Sequence, residues 1–299
     1  MAEVLSKANL FNEQLINDLI NKVKGKSSLA ILSGQEAIPF NGTEQFVFSM
    51  DSEIDIVAEN GKKSHGGITL EPVTIVPLKV EYGARVSDEF MFASEEVKID
   101  MLKAFNEGFA RKLAKGLDLM AIHGINPRSK AASDIIGNNC FEKKVTQSVA
   151  YTEADPDTNV EAAVGMVQGA DGEVNGLAMA PAFATALAKL KVNGVKQFPE
   201  LVWGASPEFV NGLRADVNST VANGGKNRAI VGDFANAFKW GYAKQIPLEI
   251  IQYGDPDGSG KDLKNYNQIY IRCEAYLGWG ILMPESFAVV KEAWWDEIL

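Results

Sequence analysis

The chain has 299 residues, 46% hydrophobic and 23% charged, an ordinary globular composition with enough apolar mass for one large domain or two smaller ones. Its formal charge of -10 and sequence pI near 4.9 argue against a protein whose main work is gripping phosphate backbones, which needs a concentrated basic face. The N-terminus, Met1 to Lys7, has no basic region followed by an apolar run, and no stretch approaches the ~20 apolar residues of a membrane span, so neither a secretory signal nor a membrane anchor is expected.

Residues 9–24 carry Phe11, Leu15, Ile16, Leu19, Ile20 and Val23 at helical spacing, with Gly25 as the stop, and predict a short amphipathic helix. From Thr43 the period becomes two. Phe46, Phe48 and Met50 alternate with Gln45, Val47 and Ser49, and a second run, Ile68 to Val86, includes Val76, Leu78, Val80 and Tyr82. Between the runs lies Asn60-Gly61-Lys62-Lys63-Ser64-His65-Gly66-Gly67, rich in turn formers and charge. The pattern predicts a long hairpin with an exposed, flexible tip.

The longest predicted helix runs from about Ser94, a good N-cap followed by Glu95 and Glu96, to His123. Leu102, Phe105, Phe109, Leu113, Leu117 and Met120 form its apolar stripe, and Gly124 with Pro127 ends it. From Tyr151 to Asp262 the pattern is mixed: helices near 159–167 and 181–191, a strand at 176–179, and Gly/Asn-rich loops at 222–227. The block reads as a separate compact lobe. After the turn Gly232-Asp233-Phe234, one strand from Gln268 to Leu282 places Ile269, Ile271, Cys273, Ala275, Leu277, Trp279 and Ile281 on one face. Tyr270, Arg272, Glu274 and Tyr276 take the other, which predicts burial on one side only.

Chemistry is sought with little return. Lys24-Gly25-Lys26-Ser27 resembles the end of a phosphate loop, but Ile20 stands where the first glycine should be and a helix precedes it. Asp255-Pro256-Asp257-Gly258-Ser259-Gly260 matches half of a calcium loop, yet Tyr266 replaces the bidentate glutamate, so a tight turn is the simpler reading. His65 and His123 are too few for a zinc cluster and have no nucleophile partner, and Cys140 and Cys273 read as reduced, core-forming thiols. No cofactor is expected, and no enzyme activity.

Taken in order, Asp118-Leu119-Met120-Ala121-Ile122-His123-Gly124 closing the long helix, Met179-Ala180-Pro181 before a helix with Leu187 and Leu190, Gly232-Asp233-Phe234 and the Tyr270 to Leu282 strand resemble the major capsid proteins of tailed bacteriophages. The resemblance implies an α+β, Hong Kong 97-like fold: an N-terminal arm (1–40), an extended hairpin loop (41–86), a peripheral domain with a spine helix (87–150 and 268–299) and an axial domain (151–267). It implies a homo-oligomer of hexamers and pentamers in an icosahedral virion shell around double-stranded DNA, assembled in the host bacterial cytoplasm. A scaffolding protein, the portal and the packaged DNA are the implied partners, with no membrane. Intersubunit contacts are expected at Asn60, Lys62, Lys63, His65, Phe11, Leu15, Gly232, Asp233 and Phe234. Some relatives join a loop lysine to an asparagine of a neighbour; Lys62 and Lys63 stand on that loop, with no asparagine partner identified. The rival readings are an encapsulin-type nanocompartment, which shares the fold, and more remotely a cytosolic α/β enzyme.

Overall fold

The computed structural model describes residues 27–50, 52–93 and 95–292; the helix predicted at 9–24, with Phe11 and Leu15, and the cap predicted at Ser94 lie outside them. In chain order the elements are α1 (Ser28–Leu32), β1 (Thr43–Met50), β2 (Ile68–Ile75), β3 (Leu78–Ser87), a 3-10 turn (Asp88–Phe92), α2 (Glu95–His123), α3 (Phe141–Lys144), β4 (Ser148–Ala150) and α4 (Pro156–Gly169). There follow β5 (Gly176–Met179), α5 (Pro181–Lys189), β6 (Lys191–Val192), β7 (Val195–Lys196), β8 (Phe209–Val210), β9 (Leu213–Val217), α6 (Ser219–Ala222), β10 (Asn227–Gly232), β11 (Phe238–Ile251), β12 (Gln268–Ile281) and β13 (Phe287–Lys291).

A six-stranded mixed sheet, ordered β4-β13-β10-β5-β9-β8, forms the larger core. Residues 176–179, 229–232 and 287–290 of its central strands are buried throughout because both faces are covered. Leu177, Met179, Ala229, Val231, Ala288 and Val290 pack with Ala163 and Val167 of α4 and Phe183 and Leu187 of α5. The alternate residues Ala178, Ile230, Phe287 and Val289 face the opposite cluster with Leu113, Leu117 and Ile122 of α2. The strands from 148–150 and 287–291 therefore share a sheet with the middle block, and β11 of that block pairs with β12. The middle block thus contributes strands to both sheets.

The second sheet is β11-β12-β3, antiparallel throughout, with β12 in the centre. The run predicted as one arm of the hairpin through Val86 divides at Val76 and Pro77. Proline offers no amide to a ladder, so β2 ends at Ile75 and β3 begins afresh at Leu78 on β12.

β12 also corrects the one-sided burial expected of it: Tyr270 and Glu274 on its polar face are buried as well. The Tyr270 ring lies over Gly83, where a methyl group would fall 2.2 Å from the phenol oxygen. Glu274 is neutralised by Lys79 of β3 at 2.8 Å, with Arg272 at 3.4 Å. Flanking strands on both sides supply long side chains that cover a face the sequence marks as polar.

Residues 27–29 are held by a buried carboxylate. Asp118, near the C-terminal end of α2, accepts hydrogen bonds from Ser27 Oγ at 2.6 Å, the Ser28 amide at 2.8 Å, the Leu29 amide at 3.2 Å and the Thr220 hydroxyl. Ser28 Oγ donates to Asp216 at 2.6 Å. Burial pushes the Asp118 carboxyl up to about 6 despite these donors. Leu29 and Leu32 enter the core, and the chain then runs along the edge of β11, where the Glu36 amide donates to the Trp240 carbonyl at 2.9 Å.

Candidate assembly surface

The β1–β2 hairpin has one apolar face with nothing on it among the described residues. The register pairs Phe46 with Pro72 and Met50 with Ile68, so these residues and Leu70 share a side. Phe46 is 63% exposed, Met50 70%, Ile68 64% and Leu70 57%. A two-stranded ribbon is marginal in water without something against its hydrophobic side, and a contiguous apolar patch of this kind marks an interaction surface. Beyond the stem, residues 52–67 are exposed, with a turn closed by the Gly61 amide on the Ala58 carbonyl at 2.8 Å. Asn60, Lys62, Lys63 and His65 are all exposed there.

At the base of the hairpin lies an open groove of about 360 Å³, lined by Val76, Leu78, Ile135, Ile136, Trp279 and Lys144 among others. Asn139 donates its side-chain amide to the Trp279 carbonyl at 2.9 Å, and its buried side-chain oxygen has no hydrogen-bond partner among the described residues. The Lys144 ammonium donates to the Ile281 carbonyl at 3.3 Å. Burial pushes its pKa down, and no carboxylate pairs with it among the described residues.

Gly232, Asp233 and Phe234, expected among the intersubunit contacts, are buried within the chain. Gly232 is glycine because the chain passes so close to the next segment that a methyl group would lie 2.2 Å from the Ser286 carbonyl oxygen. Asp233 accepts from the Asn236 amide at 2.9 Å and ties off the turn. Phe234 is fully buried against Phe287, with ring centroids 5.2 Å apart. The turn joins the six-stranded sheet to β11 and is occupied by that task.

The remaining motifs are also structural. Arg85 of β3 donates to Asp255 at 2.6 Å and, through Nε, to Asp257 at 2.8 Å, and the Arg85 guanidinium holds the Asp257 carboxyl well below the usual range. Asp255 further accepts from the Gly260 amide at 2.6 Å, so the half-matched calcium loop is a closed turn. His123 has both ring nitrogens engaged, by Glu142 at 2.6 Å and the Thr220 carbonyl at 2.8 Å. Burial lowers its pKa, but these two partners outweigh it and raise it above the ordinary histidine value. Cys140 and Cys273 are buried free thiols, and burial pushes Cys273 up to about 12. Among the described residues no helix is long and apolar enough to cross a membrane, and no group of His, Cys, Asp or Glu is placed to hold a metal ion.

Sequence reasoning passes over Ile54 and Ile56, 95% and 97% exposed, and Ile135, 81% exposed. The signal for the first two is present as the alternation Glu53-Ile54-Asp55-Ile56. It continues period two beyond the strand with no partner run opposite.

The family model described as the phage capsid family matches residues 7–292. A solved structure from Mycobacterium phage Ogopogo aligns over 90% of this chain and 92% of its own, with 36% identity and a TM-score of 0.76. One from Gordonia phage Cozz aligns over 92% and 86%, with 25% identity and a TM-score of 0.71. The capsid of an empty GTA particle shares the fold, at 16% identity, 91% coverage of both chains and a TM-score of 0.62. No curated protein matches the chain.

Proposed function

The chain belongs to the phage capsid family, and from that premise we propose that it forms the hexamers and pentamers of an icosahedral shell enclosing double-stranded DNA. In this reading residues 1–40 are the arm, the β1–β2 hairpin is the extended loop, α2 with the β11-β12-β3 sheet forms the peripheral domain, and the six-stranded sheet forms the axial domain. The protein works as a structural element of the virion and not as an enzyme. It is assembled in the host cytoplasm, with a scaffolding protein and the portal as partners.

The observation that carries the proposal is the hairpin's exposed apolar face, Phe46, Met50, Ile68 and Leu70. Apolar area removed from water contributes about 25 cal/mol per Å², and within one chain this face contributes little of it. Laid across a neighbour, the same residues become an interface repeated around each ring. Tip lysines 62 and 63 keep the hairpin from stacking edge to edge while unassembled.

Electron microscopy of the purified protein, with and without a scaffold, is expected to show closed shells carrying nuclease-protected DNA when assembled in infected cells. Monomers alone under all conditions, scaffold included, would overturn the reading. Shells that carry only protein cargo would place the chain with the nanocompartments.

A further inference from the structure

We propose that the groove at the hairpin base is a socket for the Ile54–Ile56 segment of a second copy of this chain, with Glu53 or Asp55 of that segment beside Lys144. The proposal rests on the shell-forming role inferred above and names the contact by which one copy grips the next.

The groove and the segment are complementary in three respects. Val76 and Ile135 leave its rim largely exposed, as Ile54 and Ile56 are exposed at the tip, so burying one against the other removes apolar surface of both from water. Glu53 and Asp55 alternate with the isoleucines, and the groove holds Lys144, a half-buried cation with a carbonyl but no carboxylate beside it among the described residues. An acidic group arriving there would restore the charge balance that burial disturbs. The segment 53–57 belongs to neither helix nor strand, so its backbone amides are outside any ladder. Asn139 lines the groove, with its side-chain oxygen buried behind it.

The occupant must be another copy. Ile54 lies beyond the far end of a stem eight residues long, and Val76 lies at its near end. At about 3.3 Å per residue the stem holds a chain's own tip roughly 26 Å from its own groove. Tip and socket therefore sit at different places on the molecule. Each copy donates one and receives one, the heterologous contact that generates rings or continuing lattices.

The test is a double variant, Ile56→Cys with Ile135→Cys, oxidised mildly after assembly. The native thiols Cys140 and Cys273 are buried and do not compete. Denaturing gels without reductant are expected to show a ladder of dimers and higher multimers that neither single variant gives. Shells that form normally and give no ladder would overturn the socket while leaving the capsid reading intact; failure of the unsubstituted protein to form shells would sink both.

As a second measurement, the exposed pair Ile54→Ser with Ile56→Ser is expected to keep the monomer's far-ultraviolet circular dichroism and lose about tenfold in particle yield, the factor equivalent to ~1.4 kcal/mol. Lys144→Glu is expected to lose a similar factor and to regain it with Asp55→Lys. Unchanged yield in the serine pair would overturn the proposal.

Discussion

Asp118 gathers more of the fold than its neighbours on α2 do. Each of its oxygens receives two donors: Ser27 Oγ and the Leu29 amide on one, the Ser28 amide and the Thr220 hydroxyl on the other. The nearby titratable group is His123, whose pKa an ionised Asp118 would help to raise. Burial raises the folded carboxyl to about 6, above its ordinary value of 3.8, so the folded state holds this proton more tightly than the unfolded chain. The sign follows from linkage: stability from this group is greatest below pH ~4, declines as pH rises towards 6 and is constant above, a total of about 3 kcal/mol. Asp118→Asn cannot titrate, and its amide faces donors it cannot accept. Its melting temperature is expected to lie below the wild type's at pH 4.5 and to show a shallower fall between pH 4 and 6. A parallel pH profile in thermal melts would show that Asp118 is not the titrating group. Sequence alone does not single out Asp118, because Leu117 and Leu119 beside it look like core and its partner Ser28 lies 90 residues away. Ser27 and Ser28 look equally like an ordinary polar turn.

Among the elements, those with one sustained periodicity are legible in the sequence and those without it are not. The stripe of α2 and the alternation of β12 are long enough to average out exceptions, and both fall within about a residue of their predicted spans. The six-stranded sheet is less readable because β4, β8 and β9 are short and its central strands, buried on both faces, carry no alternation. The path of residues 35–38 is invisible for a different reason: it is fixed by what Gly241 lacks. A methyl group there would lie 1.6 Å from the Glu36 carbonyl oxygen, and the same stretch holds the Ile38 amide on the Tyr242 carbonyl at 3.4 Å and the Lys239–Glu36 ion pair at 2.5 Å. Gly241→Ala must therefore push residues 35–38 off the edge of β11. A loss of about 1–3 kcal/mol is expected from such overpacking, with new protease cleavage between residues 33 and 42 while the core of β12 stays protected. Unaltered melting and cleavage would mean that residues 35–38 do not depend on that close approach.

At the scale of the whole molecule, the order of the parts is legible although the packing is not: the hairpin, long helix and long strand point to the family, while Gly232, Asp233 and Phe234 belong to the interior. The distinction matters for the tip, residues 60–67, whose side chains are all exposed. The Gly61 amide closes a turn there, on Ala58. Replacing Asn60 to Gly67 by a short Gly-Ser turn removes nothing from either core, so the far-ultraviolet circular dichroism and monomer melting should remain as in the wild type. In a shell the same residues recur in every subunit. Where Asn60, Lys62, Lys63 or His65 touches a neighbour, the weakening is multiplied around the ring, and about 0.5 kcal/mol at each exposed polar pair compounds into fewer and less heat-resistant particles. The substitution leaves Ile54 and Ile56 in place, so it reports on the polar tip separately from the apolar segment before it. Particles of normal yield and melting would make the tip a passive solvated turn, and a collapsed monomer would make it part of the fold; the expected result is an intact subunit that assembles poorly.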